Sequence, residues 1–500
     1  MLKDKTKQKG RDIVIPANDK QRLAWKAWLN DSIDDVVYGG YAGGGKTMLG
    51  GQVLTGTALQ YPGTKLFLGR KELKTLMVTS YVSLTQKVFP QYGLVQEKDW
   101  KLNGQLHVIN FRNGSKIDLL DLAEQPSDPL FDRFGSSEYT QGWIEEASEA
   151  PFKAWDVLKS RIGRWKNKEL NIKSKLLVTL NPSQDWPYRI YYYPWKKAGK
   201  IVDLDRPLVS VKGFTPEGKE VNRTYVFIPA IYKDNPFTSG DYERNLATLS
   251  DPVLKARLMD GDWDYARAND TLFDAETIAA LFHTVVAQTD DIYLIVDVAR
   301  LGDDRIVLNH FRGWDSFRVD LYQKLKTTQT AELIRNSADM YEIPRENILI
   351  DEDGIGGGVL DQVPGALGFS GDSAPFGRII DKNNLGEIKS VKENYRNLKA
   401  QCTYHLSQMA RDRKVRCSEP NLEVRELLAQ DLQQFKRKDP EKGEGKLQIV
   451  PKEEMRVALG RSPDVGDTFM MRSYFDVRER EEVFQTGGQM SVFIPDYEIA

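Results

Sequence analysis

The 500-residue chain is predicted to fold as two successive α/β domains, because strand-like and helix-like stretches alternate along both of its halves. In the first half, residues 34–54 read as a short apolar strand, a glycine-rich turn and then a helix. A hairpin is predicted at His107–Leu120, where two runs of alternating polarity flank the turn residues Asn113 and Gly114. In the second half, a new strand begins at Ile292. A chain of this length can bury one hydrophobic core in each domain.

The domain limits follow from where these patterns start and stop. The sequence predicts a flexible N-terminal arm at residues 1–12, a first domain at 13–265 and a linker at 266–285. A second domain is predicted at 286–480, and a weakly ordered tail rich in Gly, Gln and Pro at 481–500. Further strands are predicted at residues 65–68, 143–144, 176–180, 306–311 and from 347 onward.

The composition is that of an ordinary globular protein and argues against several classes of site. Hydrophobic residues make up 40% of the chain and charged residues 28%, and the net charge is only −2, although a local basic surface would suffice to bind phosphates. Cys402 and Cys417 form no CxxC pair and the four histidines are scattered, so neither a disulfide framework nor a structural zinc site is expected. No apolar run approaches the roughly 20 residues that span a bilayer, so a cytosolic protein is expected.

A phosphate-binding loop is predicted at residues 40–47, where the sequence GYAGGGKT fits the pattern G-x-x-x-x-G-K-[ST]. The loop follows the predicted strand Asp35–Tyr38 and precedes a helix, which is the context that the motif needs. Lys46 would reach the β- and γ-phosphates of ATP, and Thr47 would hold Mg²⁺. Backbone N–H groups would wrap the phosphates in a stretch made flexible by Gly40, Gly43, Gly44 and Gly45. The competing interpretation is a glycine-rich turn that binds no nucleotide.

Two adjacent carboxylates end a later predicted strand, in the sequence YTQGWIEE at residues 139–146. Glu145 would bind Mg²⁺ there, although Asp is more usual at this position, and Glu146 would polarise the attacking water. The alternative is the acidic first turn of an exposed helix, since Glu is favoured at helix N-termini.

The second domain carries aspartates at the ends of predicted strands or near a predicted helix start, namely Asp297, Asp351, Asp464 and Asp467. An Asp in an apolar strand is costly unless its charge is compensated. Two metal ions about 4 Å apart would compensate it and would serve phosphodiester cleavage. Carboxylate oxygens favour Mg²⁺ or Mn²⁺ over zinc. Single aspartates at strand ends are also common as caps and turn formers, so the spacing alone leaves both interpretations open.

Taken in order along the chain, these motifs resemble those of the large terminase subunit of tailed bacteriophages. The sequence IPANDKQ precedes the loop, LLVTLNP at Leu176–Pro182 follows the acidic pair, and YKDNPF and GDW follow at Tyr232–Phe237 and Gly261–Trp263 without an evident chemical role. The patterns D-x-A-x-x-G-D-D, I-D-x-x-G-x-G-x-G and S-P-D-x-x-D come in this order in the second half. The resemblance covers about residues 14–475 and implies an ASCE-type P-loop NTPase followed by an RNase H-like nuclease domain.

The resemblance implies roles for single residues of the first domain. Gln21 would read the adenine base, and Thr179 and Asn181 would sense the γ-phosphate. Arg133 is similar to the position from which some terminases supply an arginine finger to a neighbouring subunit, and an Arg there would stabilise charge on the transferring phosphoryl group. A structural or surface role for Arg133 is the alternative.

In the second domain, Asp297, Asp351 and Asp467 match the metal ligands of the terminase nuclease. Asp464 could replace or assist Asp467, because both lie at the start of one predicted helix at i, i+3 spacing. Lys452 and Arg461 are close enough in sequence to contact the DNA backbone, or they lie on a solvated surface.

The resemblance also implies a function and partners. The chain would use ATP to move double-stranded DNA into a procapsid and would cut that DNA, working as a homo-oligomeric ring with a portal protein and a small terminase subunit. It would act in the host cytoplasm and be absent from the mature virion. The basic and aromatic stretches at residues 161–175 and 188–200 would grip DNA or form a solvated face with buried rings. A helicase–nuclease of DNA repair, and a packaging ATPase whose second domain only docks, are the alternatives.

Overall fold

The structure is a computed structural model that describes residues 17–40, 43–265, 270–298, 305–382, 388–392, 394–438 and 446–485. The chain divides into two compact units, Met1–Ala266 and Arg267–Ala500. The predicted arm at residues 1–12 and residues 486–500 of the predicted tail lie outside the described residues. In the described part of the chain, no helix has both the length and the apolar character needed to cross a bilayer.

The first unit is built around one nine-stranded sheet. Its strands are β1 (Asp35–Gly40), β2 (Lys65–Arg70), β3 (Trp100–Asn103), β4 (Val108–Phe111), β5 (Lys116–Asp121), β6 (Gln141–Ile144), β7 (Leu176–Leu180), β8 (Leu208–Phe214) and β9 (Glu220–Ala230). Its helices are α1 (Asp19–Leu29), α2 (Lys46–Gln60), α3 (Leu73–Val78), α4 (Ser80–Ser83), α5 (Phe89–Gln91), α6 (Phe152–Lys159), α7 (Asn167–Leu170), α8 (Tyr193–Lys197), α9 (Gly240–Ala247) and α10 (Pro252–Leu258).

The strand order of this sheet is β3-β4-β5-β2-β6-β7-β1-β9-β8. Neighbouring strands run parallel from β5 across to β9, and the strands at both edges pair antiparallel. β7 lies between β1, which precedes the glycine-rich loop, and β6, which precedes the acidic pair. This is the strand order expected of an ASCE-type NTPase. The predicted hairpin is confirmed, because β4 and β5 pair antiparallel around Asn113 and Gly114.

Packing between α2 and β6 fixes the distance between the loop and the acidic pair. Trp143 of β6 is fully buried, and a Cβ added to Gly50 of α2 would lie 2.3 Å from its ring. Only glycine therefore allows α2 to approach β6 this closely without repacking.

The second unit contains a six-stranded sheet and a separate two-stranded one. Its strands are β10 (Ile292–Asp297), β11 (Ile306–Arg312), β12 (Asp315–Tyr322), β13 (Ile348–Asp351), β14 (Leu367–Phe369), β15 (Gly377–Lys382), β16 (Ile388–Lys392) and β17 (Arg416–Cys417). Its helices are α11 (Ala275–Leu281), α12 (Thr327–Met340), α13 (Gly356–Leu360), α14 (Leu398–Arg411), α15 (Leu422–Gln434), α16 (Lys452–Leu459) and α17 (Asp464–Gln485).

The six-stranded sheet has the order β14-β13-β10-β11-β12-β17. β10, β11 and β12 form an antiparallel meander, while β13 and β14 add in parallel on the other side of β10. An antiparallel meander extended by parallel strands beside its first strand is the RNase H-like arrangement. The predicted fold class is confirmed for both units.

The structure corrects part of the predicted linker at residues 266–285. Residues 275–281 form α11, which the Asp274 side chain caps by accepting a hydrogen bond from the Thr277 N–H at 2.7 Å. Ile278 and Leu281 are buried in the hydrophobic core of the second unit. This part of the predicted linker is therefore a helix of that core. At the C-terminal end of the unit, α17 continues to Gln485, past the predicted start of the tail at residue 481.

Candidate nucleotide site and candidate metal site

The glycine-rich loop connects β1 to α2 as the sequence predicts. Gly43 and Gly45 have φ angles of 82° and 78°, a left-handed backbone that favours glycine. Lys46 is the first residue of α2 and is largely buried. Burial lowers the pKa of its ammonium group, and Glu146 and Glu145 act in the opposite direction.

Side chains of residues that follow three neighbouring parallel strands meet at this loop. The Lys46 Nζ donates to Asn181 Oδ1 at 2.7 Å, and Asn181 Nδ2 donates to Glu146 Oε2 at 2.7 Å. The Thr47 hydroxyl donates to Glu145 Oε1 at 2.6 Å. β1, β7 and β6 are adjacent and parallel, so the residues that follow them lie at one edge of the sheet, where α/β proteins bind ligands. The loop, the acidic pair and Asn181 therefore form one connected network.

The Glu145 carboxylate is held from two sides. It is only 2% exposed, and burial raises its pKa to about 7 although Thr47 and Arg70 act to lower it. Its Oε2 accepts a hydrogen bond from the Ser80 hydroxyl and lies 3.8 Å from the Arg70 guanidinium. The sequence analysis missed Arg70 and Ser80. Arg70 ends β2, the strand beside β6, so its place at the same sheet edge depends on the strand order.

Glu146 has a left-handed backbone with a φ angle of 49°, which is uncommon for a residue other than glycine. Glu146 lies just beyond the end of β6, and its side chain remains partly exposed. Strained backbone of this kind is concentrated at functional sites. The two adjacent glutamates therefore have different environments, one buried beside Thr47 and one facing Asn181.

The structure shows the surroundings of Thr179 and Gln21, for which the resemblance implied contacts with the nucleotide. The Thr179 hydroxyl is fully buried and accepts a hydrogen bond from the Trp143 indole at 2.9 Å, so it faces the core, while Asn181 reaches the loop. Gln21 Oε1 accepts from the Asn18 N–H at 2.9 Å, and its Nε2 donates to the Gly45 carbonyl oxygen at 2.9 Å. Gln21 thus caps α1 and contacts the loop, and an adenine contact stays a prediction.

Arg133 is held inside its own chain. Its NH1 donates to Asp128 Oδ2 at 2.7 Å, and its NH2 donates to the carbonyl oxygens of Asp121 and Ala123 at 3.2 and 2.7 Å. The guanidinium also lies over the Phe131 ring at 4.6 Å. These contacts support a structural role, and the arginine-finger role stays a prediction.

The aromatic residues of the stretch at 188–200 are packed inside the first unit. Tyr188, Tyr191, Tyr192, Tyr193 and Trp195 are all buried. Their rings contact each other and Trp155, Trp263 and Phe227. Buried rings cannot stack on DNA bases, so the solvated-face alternative describes this stretch better.

In the second unit, the four predicted aspartates line one cavity of about 230 Å³. Asp297 and Asp351 end the adjacent parallel strands β10 and β13, and Asp464 and Asp467 lie in the first turn of α17. Asp353, Phe369, Lys399 and Lys452 contribute to the same walls. The strand pairing therefore brings together carboxylates that are far apart in sequence.

Two lysines neutralise part of this charge. Lys452 Nζ lies 2.9 Å from Asp467 Oδ2 and 4.0 Å from Asp297 Oδ2, and Lys399 Nζ lies 2.9 Å from Asp467 Oδ1. Lys452 therefore faces the carboxylates, whereas the sequence suggested DNA contact or solvent. Arg461 donates to the fully buried Asp431 at 2.6 Å, which also places it inside the fold. Lys399 belongs to no recognised motif, so the sequence did not predict that it contacts Asp467.

The electrostatics of the cavity fit a divalent cation. Burial raises the pKa values of Asp297 and Asp351 to about 7 and that of Asp464 to about 6, with neighbouring carboxylates adding to the effect. Burial acts in the same direction on Asp467, but Lys399 and Lys452 outweigh it and lower the pKa. Asp297 Oδ2 is buried and accepts no hydrogen bond from a described residue.

Within the described residues, no three His, Cys, Asp or Glu side chains stand in a preformed coordination geometry. Asp467 is instead paired with the ammonium groups of Lys399 and Lys452. Hard oxygen donors of this type suit Mg²⁺ or Mn²⁺. The oxygen donors of this cavity fit such ions once the two lysines no longer pair with Asp467.

Comparisons with known proteins give structural likenesses only. No protein-family model matches the chain, and no curated protein matches it. The large terminase of a thermophilic bacteriophage in complex with ADP aligns at a TM-score of 0.39 and 11% identity over 91% of this chain and 98% of that one. The complex of the same terminase with ATP-γ-S aligns at a TM-score of 0.38 and 10% identity over 91% of this chain and 98% of that one. The nuclease domain of the large terminase subunit of bacterial virus Sf6 aligns at 0.34 and 20%, covering 41% of this chain and 98% of that domain. Identities this low leave the chemistry of this chain to be judged from its own side chains.

Proposed function

We propose that this chain is the ATP-hydrolysing and DNA-cutting subunit of a viral DNA-packaging motor. The observation that supports it most is that one chain has two separate acidic sites. One connects Lys46, Asn181 and Glu146 at a phosphate-binding loop, and the other gathers four aspartates in an RNase H-like unit. A motor that both moves and cuts DNA needs both kinds of site, and the order of motifs in the sequence matches this combination.

In the first site, Lys46 would bind the terminal phosphates, while Thr47 and Glu145 would hold Mg²⁺, which would neutralise charge on the phosphates. Glu146 accepts the proton of the attacking water, and its partly exposed carboxylate is suited to that role. Asn181 links Glu146 to Lys46 at 2.7 Å on each side. Phosphate binding to Lys46 competes with Asn181 for the ammonium, which releases the Asn181 amide to reorient Glu146.

In the second site, Asp297, Asp351, Asp464 and Asp467 hold Mg²⁺ or Mn²⁺. Such ions activate water and stabilise the leaving oxygen in phosphodiester cleavage. Asp297 and Asp351 lie on neighbouring strand ends, and a rigid sheet fixes their separation. Lys399 and Lys452 balance the carboxylates, and a bound cation would compete with them for Asp467.

A plasmid-nicking assay tests the second half of the proposal. We expect wild-type chain with Mn²⁺ to convert supercoiled plasmid to open or linear forms, and Asp351→Ala to abolish this. Asp361→Ala, an exposed aspartate of the same unit, is the matched control and should cut normally. Intact plasmid at protein concentrations that hydrolyse ATP would instead support a second unit that only docks.

A strand-displacement assay separates the packaging motor from a repair helicase–nuclease. We expect the chain to hydrolyse ATP in the presence of double-stranded DNA without unwinding an oligonucleotide duplex. Duplex unwinding coupled to ATP would support the helicase. The portal protein, the small terminase subunit, the homo-oligomeric ring and the host cytoplasm belong to the same proposal and rest on the sequence resemblance.

A further inference from the structure

Three consecutive carbonyl groups of the phosphate-binding loop each accept a hydrogen bond from a side chain. Asn235 Nδ2 donates to the Gly43 carbonyl oxygen at 2.7 Å, the Tyr38 hydroxyl donates to the Gly44 oxygen at 2.9 Å, and Gln21 Nε2 donates to the Gly45 oxygen at 2.9 Å. The three donors come from separate parts of the chain: the segment after β9, the strand β1 and the helix α1. We call them the carbonyl clamp.

The carbonyl clamp fixes where the amide groups of the loop point. In a planar trans peptide, the C=O of one residue and the N–H of the next point in opposite directions. Holding the oxygens of Gly43, Gly44 and Gly45 outward therefore turns the N–H groups of Gly44, Gly45 and Lys46 away from the three side chains. The N–H groups of Gly44 and Gly45 donate to no other described backbone group. Successive N–H groups directed to one side form an anion-binding concavity.

Asn235 belongs to the YKDNPF segment, for which the sequence suggested no chemical role. The same segment leads into α9, whose Tyr242 ring covers the loop, since a Cβ added to Gly43 would lie 2.6 Å from Tyr242 Cε1. Farther along, Arg257 of α10 donates to the carbonyl oxygen of Pro182, the residue after Asn181, at 3.1 Å. The segment thus contacts the loop through Asn235, and α10 farther along the chain contacts the neighbour of Asn181.

We propose that Asn235 is a positioning residue for the bound triphosphate, acting through the Gly43 carbonyl as part of the carbonyl clamp. The inference rests on the proposed ATP-binding function. It assigns a role in phosphate affinity to a side chain that lies 192 positions from the loop in sequence. Asn235 touches the loop backbone, and the loop amides in turn touch the phosphates.

The Asn235 side chain has two hydrogen bonds that a substitution can separate. Its Oδ1 accepts from the Phe237 N–H at 3.2 Å, which stabilises the local turn, while its Nδ2 donates to the loop. Asn235→Asp keeps the acceptor of the turn and removes the donor to Gly43. A purely structural role in the turn therefore predicts an unchanged protein, and the clamp predicts weaker nucleotide binding.

The test is binding of a fluorescent ADP analogue and of ATP-γ-S in the presence of Mg²⁺ to the full chain. We expect Asn235→Asp to weaken both affinities by at least roughly five- to tenfold, because it removes one hydrogen bond and places a carboxylate against the Gly43 carbonyl oxygen, while the nucleotide-free chain remains folded at the assay temperature. Asn245→Asp, an exposed asparagine on α9, is the matched control and should bind as wild type.

Wild-type affinity in Asn235→Asp would overturn the inference while leaving the proposed ATP site intact. Absence of nucleotide binding in the wild-type chain would overturn the proposed function and this inference together. If Asn235→Asp does not fold, Tyr38→Phe removes only the hydroxyl that holds the Gly44 oxygen. The same loss of affinity is expected for it, and wild-type binding would again refute the clamp.

Discussion

Replacing Lys452 by alanine should destabilise the metal-free protein and make its stability depend on divalent cations. The Lys452 ammonium lies 2.9 Å from Asp467 and 4.0 Å from Asp297, and both carboxylates are at most 4% exposed. Removing one partner of a buried ion pair costs about 3–5 kcal/mol, because the remaining charge stays desolvated. We expect the lower end, about 3 kcal/mol, because Lys399 still faces Asp467.

Thermal unfolding with and without Mn²⁺ measures this effect. A loss of about 3 kcal/mol in a unit of this size lowers the unfolding temperature by about 6–12 °C. Mn²⁺ at about 100 times its dissociation constant should return about 2.7 kcal/mol, because binding to the folded state alone stabilises it by mass action. At the same Mn²⁺ concentration, this gain in the variant should exceed the gain in wild type, in which Lys452 competes with the cation.

Lys446→Ala is the matched control, since Lys446 is an exposed lysine of the same unit. It should unfold at the wild-type temperature under both conditions. The reasoning is refuted if Lys452→Ala is as stable as wild type without metal. It is equally refuted if Mn²⁺ stabilises the variant no more than it stabilises the wild-type chain.

Four further outcomes are expected. Lys46→Ala should abolish ATP turnover and leave Mn²⁺-dependent plasmid cutting largely intact, and equal loss of both activities would contradict independent sites. Glu146→Gln should bind ATP with near wild-type affinity and hydrolyse it roughly 100-fold or more slowly in a phosphate-release assay, and unchanged turnover would mean that another carboxylate activates water. Arg223→Met should lower the free energy of unfolding in urea by about 3–5 kcal/mol, because Arg223 Nε lies 3.0 Å from both oxygens of the fully buried Asp35; a loss below about 1 kcal/mol would argue against a strong pair. Burial lowers the pKa of His310 below its usual 6.5. Its contribution to stability is therefore present above about pH 6.5 and is lost as the pH falls, by up to about 1.4 kcal/mol per pH unit. His310→Gln should flatten that part of the pH–stability curve, and a curve identical to that of wild type would refute the assignment.

Sequence alone was sufficient for features that depend on local backbone chemistry. Glycine at positions that need a left-handed backbone, followed by Lys46 and Thr47 between a strand and a helix, specified the glycine-rich loop between β1 and α2. The Asn-Gly hairpin and the strand before the two glutamates were found in the same way, because turn chemistry and alternating polarity act over a few residues. The α/β class of both units followed from the alternation of strands and helices, and the ASCE-type and RNase H-like folds were implied by the resemblance.

Tertiary structure decided which side chains meet. Thr179 and Asn181 are two positions apart, yet one faces Trp143 in the core and the other bridges Lys46 and Glu146, because β7 ends between them. Lys399 and Lys452 face the aspartates, and Asn235 reaches Gly43, through packing between segments far apart in the chain. A sequence records the charge and size of each residue. The pairing of distant strands and helices determines which charges are buried together, and that pairing sets their pKa values and their partners.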